Sequence, residues 1–167
     1  MAKVLSVVAP EKFQQTEYLE SKRALEEKGH EVFLCSTHQI AFDKNEEAYK
    51  VDALLDEVFE DDYDAILFVG GPGIQEHFDD PDFQSLARAF FENGKLTSAI
   101  CAAPGVLAKA GLLEGKKATC WPGVGDILRS AGAEYTEKPV ESDGLIVTGD
   151  GPDSAYAFGL KIAELLS

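Results

Sequence analysis

Cys101 stands where an apolar, strand-forming run gives way to small residues and then to helix formers: Lys95-Leu-Thr-Ser-Ala-Ile-Cys101-Ala-Ala-Pro-Gly-Val-Leu-Ala-Lys-Ala110. Small neighbours let a chain turn tightly, so that the side chain at the turn projects above a sheet edge, as at a nucleophile elbow. A thiol at the start of a helix also meets unpaired backbone N–H groups and the positive end of the helix dipole, and both favour the reactive thiolate. The competing reading is a buried structural cysteine, since free cysteine is among the most buried residue types.

A nucleophile of this kind needs donors for the charge it develops and a partner for its proton. Gly70-Gly71 follows the most apolar strand of the chain, Ala65–Val69. If that strand neighbours the one before Cys101, the N–H of Gly71 and the N–H of Ala102 point into the same space and form an oxyanion hole or a cradle for an oxidised sulfur. The alternative is a plain glycine turn. It is not a phosphate loop, because neither GxxxxGK[ST] nor GxGxxG fits glycines at 70, 71 and 73. For the proton, His30 and His38 read as surface turn residues, and His77 lies in the loop after the glycines within possible reach. A carboxyl on the first strand–helix segment is the better partner, because poor solvation raises its pKa and lets it donate to sulfur. Glu11, Glu17 and Glu20 are all available there, and spacing alone does not choose among them.

These residues must be positioned by the elements around them. Strand and helix signals alternate: strands over Val4–Val8, Glu31–Ser36, Ala65–Val69 and Leu96–Ile100, helices over Thr16–Lys28, Asp82–Glu92, Ala102–Ala110 and Ser154–Leu166. The first helix is expected to bury Leu19, Ala24 and Leu25, the last Ala155, Phe158, Ile162, Leu165 and Leu166. Residues 39–51 are irregular with room for a hairpin, and Asp52–Phe59 reads as a short helix. Lys117–Trp121 reads as a strand, Gly125–Ala131 as a short helix, and Tyr135–Val140 with Leu145–Thr148 as paired strands around Ser142-Asp143-Gly144. Alternation of this kind specifies an α/β fold, a mostly parallel sheet covered by helices on both faces, with sites at the carboxyl ends of its strands. No repeat or linker interrupts it, so 1–167 is expected to form a single domain.

Composition sets the outer bounds. The 167 residues carry 30 acidic and 15 basic side chains, a net charge of −15, which repels phosphate backbones and makes nucleic acid a poor partner. The apolar runs are too short to cross a bilayer, no secretion signal opens the chain, and a cytoplasmic location is the simplest inference. Three widely spaced cysteines, Cys35, Cys101 and Cys120, argue against a disulfide framework, and three histidines without a CxxC pair argue against zinc. No cofactor or metal is expected.

Over nearly its whole length the chain resembles the ThiJ/PfpI family, part of the class I glutamine amidotransferase-like superfamily. That family includes the human parkinsonism-associated deglycase, PfpI-type proteins, isocyanide hydratases and glutathione-independent glyoxalases. The resemblance is carried by Glu26-Glu-Lys-Gly-His-Glu-Val32, Asp64-Ala-Ile-Leu-Phe-Val-Gly-Gly-Pro-Gly73, Ala99-Ile-Cys-Ala-Ala-Pro104 and Gly149-Asp-Gly-Pro-Asp-Ser-Ala-Tyr-Ala-Phe158. It implies a flavodoxin-like three-layer α/β/α sandwich, usually a homodimer, with Cys101 as nucleophile, Glu17 as its acidic partner, and the backbones of Gly71 and Ala102 as donors. Two departures bear on function. The histidine that PfpI-type peptidases carry after the cysteine is Ala102 here, and the histidine of deglycase-like members is Trp121, within Ala118-Thr-Cys-Trp-Pro122. A Cys–His peptidase is therefore disfavoured, while Cys–Glu chemistry needs neither histidine. Trp121 would wall the site and Gly70 would border it. Strand alternation leaves open whether Cys120 faces it.

The resemblance thus implies a cysteine-dependent lyase or hydrolase acting on a small electrophile, foremost a reactive carbonyl such as methylglyoxal, with an isocyanide as another substrate using the same parts. The alternatives are an oxidative-stress sensor in which Cys101 becomes sulfinic acid, and a holdase in which the cysteine is a relic.

Overall fold

The computed structural model describes residues 1–167. In chain order the elements are β1 (Lys3–Val7), α1 (Gln15–Glu27), β2 (Glu31–Ser36), β3 (Ile40–Phe42), β4 (Ala48–Lys50), β5 (Ala53–Leu54), β6 (Ala65–Phe68), α2 (Pro81–Glu92), β7 (Leu96–Ile100), α3 (Pro104–Lys109), β8 (Lys117–Ala118), α4 (Gly125–Ser130), β9 (Glu134–Tyr135), β10 (Val140–Asp143), β11 (Ile146–Gly149) and α5 (Ala155–Leu166). Seven strands form the central sheet in the order β10-β11-β7-β6-β1-β2-β5. All its pairings are parallel except the β10–β11 hairpin.

Both faces are covered, and the strand alternation shows it. Leu5, Val7, Ile66 and Phe68 point into one apolar layer with Phe83 and Phe90 of α2, Val106 and Leu107 of α3, and Leu128 of α4. Val4, Ala65 and Leu67 point into the other, with Tyr18 and Leu25 of α1 and Phe158 and Ile162 of α5. A strand buried on both faces favours apolar residues on both, which is why Ala65–Val69 reads as an unbroken hydrophobic run. No helix is long and apolar enough to cross a membrane.

From β1 the chain moves outward to β2, then returns to place β6 on the opposite side of β1. This reversal opens a crevice beyond the strand ends, where such sheets place ligands. The carboxyl ends of β1, β6 and β7 lie side by side there.

Several elements differ from expectation. Asp52–Phe59 holds only a single 3-10 turn, Leu55–Glu57, after a short strand. The free edge of β2 recruits its start: the Leu34 N–H donates to the Asp52 carboxylate at 2.8 Å, the Asp52 N–H donates to Leu34 O, and Ala53–Leu54 pair beside Cys35–Ser36. Residues 39–51 do hold a hairpin, β3–β4. Tyr135 pairs with Ala118 in a separate small sheet, so the strand facing β11 is Val140–Asp143. The strand at Lys117 ends at Ala118, because beyond it the Thr119 N–H goes to the Thr148 hydroxyl and the Trp121 N–H to Cys101 O. Leu19 and Leu165 are exposed rather than buried. In α1 the inward stripe runs through Glu17, Ser21, Ala24 and Leu25.

Candidate active site

Cys101 follows β7 directly, and its backbone turns into the left-handed region at φ 64°. For a residue with a Cβ this conformation costs about 1–2 kcal/mol and must be held by its surroundings. It is: the Cys101 N–H donates to Gly149 O at 2.9 Å, and Cys101 O accepts from the Trp121 N–H at 2.8 Å. The following helix begins only at Pro104 and is six residues long. The expectation of a helix starting at Ala102, with its dipole acting on the thiol, is thereby corrected. The local donors to sulfur are the N–H groups of Ala102 and Gly71. Neither N–H is taken by a backbone carbonyl.

Gly71 lies at the end of β6, with φ 114°, a conformation that favours glycine. A Cβ there would also strike Gln14 N and Lys12 O at 2.6 Å, so the close seating of this turn against the β1–α1 loop depends on its absence. The Gln14 N–H donates to Gly70 O at 2.9 Å and fastens the same contact.

Glu17 sits in the first turn of α1, fully buried. The Gly70 N–H donates to its Oε1 at 2.9 Å. Its Oε2 is buried and has no conventional partner, and Cys101 is the side chain that hydrogen-bonds this carboxyl. Burial pushes the Glu17 carboxyl up to about 7, against the lowering pull of the Cys101 thiol, the Gly70 N–H and the Lys44 charge. Burial also pushes the Cys101 thiol up, and the neighbouring Glu17 charge pushes it further, while the two backbone N–H groups pull it down. Two groups that each resist charging beside the other share a proton near neutrality. Of the two the carboxyl ionises more readily, so the pair rests as thiol with carboxylate, and the N–H groups of Gly71 and Ala102 pull towards the thiolate that chemistry needs.

Of the three carboxyl candidates, Glu17 alone reaches the thiol. Glu11 lines a neighbouring cavity, and Glu20 is paired with Arg23 on the outer face of α1. A signal for this was present in the sequence. Glu17 falls one turn before Ser21 and two turns before Ala24 and Leu25, on the inward stripe, whereas Glu20 shares its face with Arg23 and Glu27.

The thiol opens into a cavity of about 300 Å³ lined by Gln14, Lys44, Gly71, Pro72, Gln75, Cys101, Ala102, Trp121 and Pro152. Trp121 lies on the cavity wall, with its ring over Gly123, where a Cβ would lie 2.2 Å from it. Gly70 lies behind the cavity and holds Glu17. Two further candidates fall elsewhere. Cys120 is buried in the apolar layer with Leu128 and Val124, away from the cavity that Trp121 lines. His77 stacks on Phe83, pairs with Asp80 at 3.1 Å, and lines the neighbouring cavity with His38 and Glu11. Lys44, Gln14, Gln75 and Pro152 were not singled out by sequence reasoning. Lys44 lies some 57 residues before the cysteine, and only the docking of the β3–β4 hairpin brings it there. No three His, Cys, Asp or Glu side chains converge in a metal-holding arrangement.

Residues 2–165 match the DJ-1/PfpI family. The chain belongs to this family. A Pyrococcus horikoshii protein named a deglycase is 33% identical over 98% of this chain and 99% of its own length. Among solved structures, a ThiJ/PfpI domain protein of Brachyspira murdochii has 32% identity and a TM-score of 0.95, covering 98% of this chain and 95% of that one. The oxidised form of a Toxoplasma gondii DJ-1 superposes with a TM-score of 0.88 at 33% identity, covering 99% and 91%. The DJ-1/PfpI fold, a flavodoxin-like sandwich, accounts for the three-layer arrangement described above.

Proposed function

We propose that this DJ-1/PfpI protein is a cysteine-dependent enzyme of the glyoxalase or deglycase type, acting on small reactive carbonyl compounds. The observation that carries the reading is the Cys101–Glu17 pair: a thiol under two backbone donors, beside a buried carboxyl whose pKa rises to about 7. A general acid–base group works best when its pKa lies near the operating pH. The family membership and a relative named a deglycase support an enzyme of this type.

With methylglyoxal the Cys101 thiolate adds to the aldehyde carbon, forming an S–C bond and sending the carbonyl electron pair to oxygen. The N–H groups of Gly71 and Ala102 stabilise that alkoxide, and Glu17 gives it a proton. As a carboxylate, Glu17 then takes the proton from the former aldehyde carbon and returns one to the neighbouring carbon, while the hydroxyl proton of the first oxygen passes to the second, leaving a thioester of lactate. Water cleaves the thioester and releases the thiol. The overall change is an internal oxidation and reduction plus one water, so it needs no external oxidant or cofactor. Trp121 and Pro152 shield the reacting atoms. No histidine lines the cavity, which weighs against peptidase chemistry.

The same atoms support a second reading, in which Cys101 is oxidised to a sulfinate held by Gly71, Ala102 and protonated Glu17. A related protein solved in an oxidised form favours keeping it. The deciding experiment is incubation of the pure protein with methylglyoxal, without glutathione, and assay of lactate beside Cys101→Ala. Lactate formed only with the cysteine present supports the enzyme. Its absence removes this substrate.

A further inference from the structure

We propose that the Cys101 cavity selects small electrophiles that carry a carboxylate, with the Lys44 ammonium holding that negative charge. This deepens the reading of Cys101 as nucleophile and rests on it.

The chain carries twice as many acidic as basic side chains, 30 against 15. Yet the charged side chain on the cavity wall, apart from the thiol itself, is a cation, and no carboxylate lines it. An anion approaching a protein of net charge −15 is repelled, so a single lysine at the mouth offsets a field that would otherwise exclude such a ligand.

Lys44 is unpaired. It takes part in no salt bridge, although Asp43 precedes it and Glu46 follows closely. The Asp43 carboxylate is already committed. Its Oδ1 accepts from Asn45 N–H at 2.8 Å and Glu47 N–H at 3.0 Å, and its Oδ2 from the Tyr49 hydroxyl at 3.2 Å. Glu46 and Glu11 line a separate cavity, beside Lys12 and Phe42.

The backbone that carries Lys44 is fixed. Its N–H donates to Phe13 O at 2.9 Å, and the Phe42 N–H donates to Pro10 O at 2.9 Å. These bonds tie the β3–β4 hairpin to the β1–α1 loop, so the lysine stands over the site. Its charge reaches the buried Glu17 carboxyl. Gln14 and Gln75 flank it, and Gln14 Oε1 is occupied by the Thr16 N–H at 2.9 Å, which leaves the amide NH₂ of Gln14 as a further donor. An ammonium beside two amides suits a carboxylate better than a neutral carbonyl compound.

The test compares alkylation of Cys101 by iodoacetate and by iodoacetamide, near-isosteric reagents that differ in charge, at low ionic strength, read by peptide mass spectrometry. In both, the thiolate forms the S–C bond and iodide leaves. The ratio of the two rates cancels any change in the thiol itself. Lys44→Gln is expected to lower the iodoacetate-to-iodoacetamide ratio roughly two- to fivefold, and Lys44→Glu by roughly the square of that. Lys44→Arg keeps the ratio, and high salt removes the difference between variants. A ratio that is the same in all four proteins overturns the proposal while leaving the nucleophile reading intact. Failure of both reagents to modify Cys101 overturns the two together.

Discussion

Glu17 and Cys101 meet across the missing side chain of Gly70. A Cβ built on that glycine would lie 2.7 Å from Cys101 Cβ, 2.7 Å from Glu17 Oε1 and 2.7 Å from the Ile100 carbonyl. The pair is therefore close because a residue on a third segment has no side chain, and the same residue supplies the N–H that holds the carboxyl. Gly70→Ala should either part the two groups or destabilise the fold by about 1–3 kcal/mol, the usual cost of overpacking. Turnover and urea unfolding of this variant check it. An alanine accepted with full activity and unchanged stability contradicts the geometry.

Removing either member of the pair should affect chemistry differently. Cys101→Ala should abolish turnover and leave the fold, since the bonds that hold residue 101 are made by its backbone. Glu17→Gln should lower kcat roughly 10²–10⁴-fold by removing the proton carrier. It also removes the carboxylate charge that pushes the thiol up, so its Cys101 should react with iodoacetamide faster than the wild type at pH 8. A Glu17→Gln protein with slower alkylation and normal turnover would reverse both assignments.

The buried carboxyl also leaves a signature in stability. Unfolded, Glu17 titrates near its ordinary 4.5; folded, burial holds it near 7. Between these values the native protein keeps a proton that the unfolded chain has lost, so stability falls as pH rises from 4.5 to 7. The loss is complete above about 7 and is on the order of 3 kcal/mol. Glu17→Gln lacks this contribution. Urea unfolding of both proteins at pH 5 and pH 8 should show the wild type losing more stability than the variant. Equal losses would count against a raised Glu17.

Mild peroxide separates the three cysteines. Cys35 and Cys120 are buried out of reach of peroxide, while Cys101 is partly exposed and has two backbone donors on its sulfur. Oxidation should therefore begin at Cys101 and stop at the sulfinic acid, with Cys35 and Cys120 unchanged by peptide mapping. Glu17→Ala, which removes the hydrogen-bond donor to the oxidised sulfur, should let oxidation continue further. First oxidation at Cys120 would place the reactive thiol elsewhere.

Much of this protein is settled by its sequence for local physical reasons. A run buried on both faces is favoured to be apolar, so Ala65–Val69 is legible as a central strand, while Leu96–Ile100 buries Thr97 and Ser98 as well. The small residues after Cys101 mark a sharp turn whatever surrounds it. The inward stripe of α1 was legible too, yet Leu19 drew attention by its hydrophobicity while Glu17, one turn before Ser21, held the buried position. Hydrophobic type alone misleads when a helix buries a charge. Tertiary structure decided what depends on distant segments meeting. Residues 52–54 are a strand because the edge of β2 offers unpaired backbone groups. Cys120 and Trp121 are adjacent in sequence but face a core and a cavity, because the Trp121 N–H is tied to Cys101 O. Gly70, Glu17, Cys101 and Lys44 come from four segments that no spacing relates. They converge because the strand order reverses at β1 and the β3–β4 hairpin folds back over the crevice.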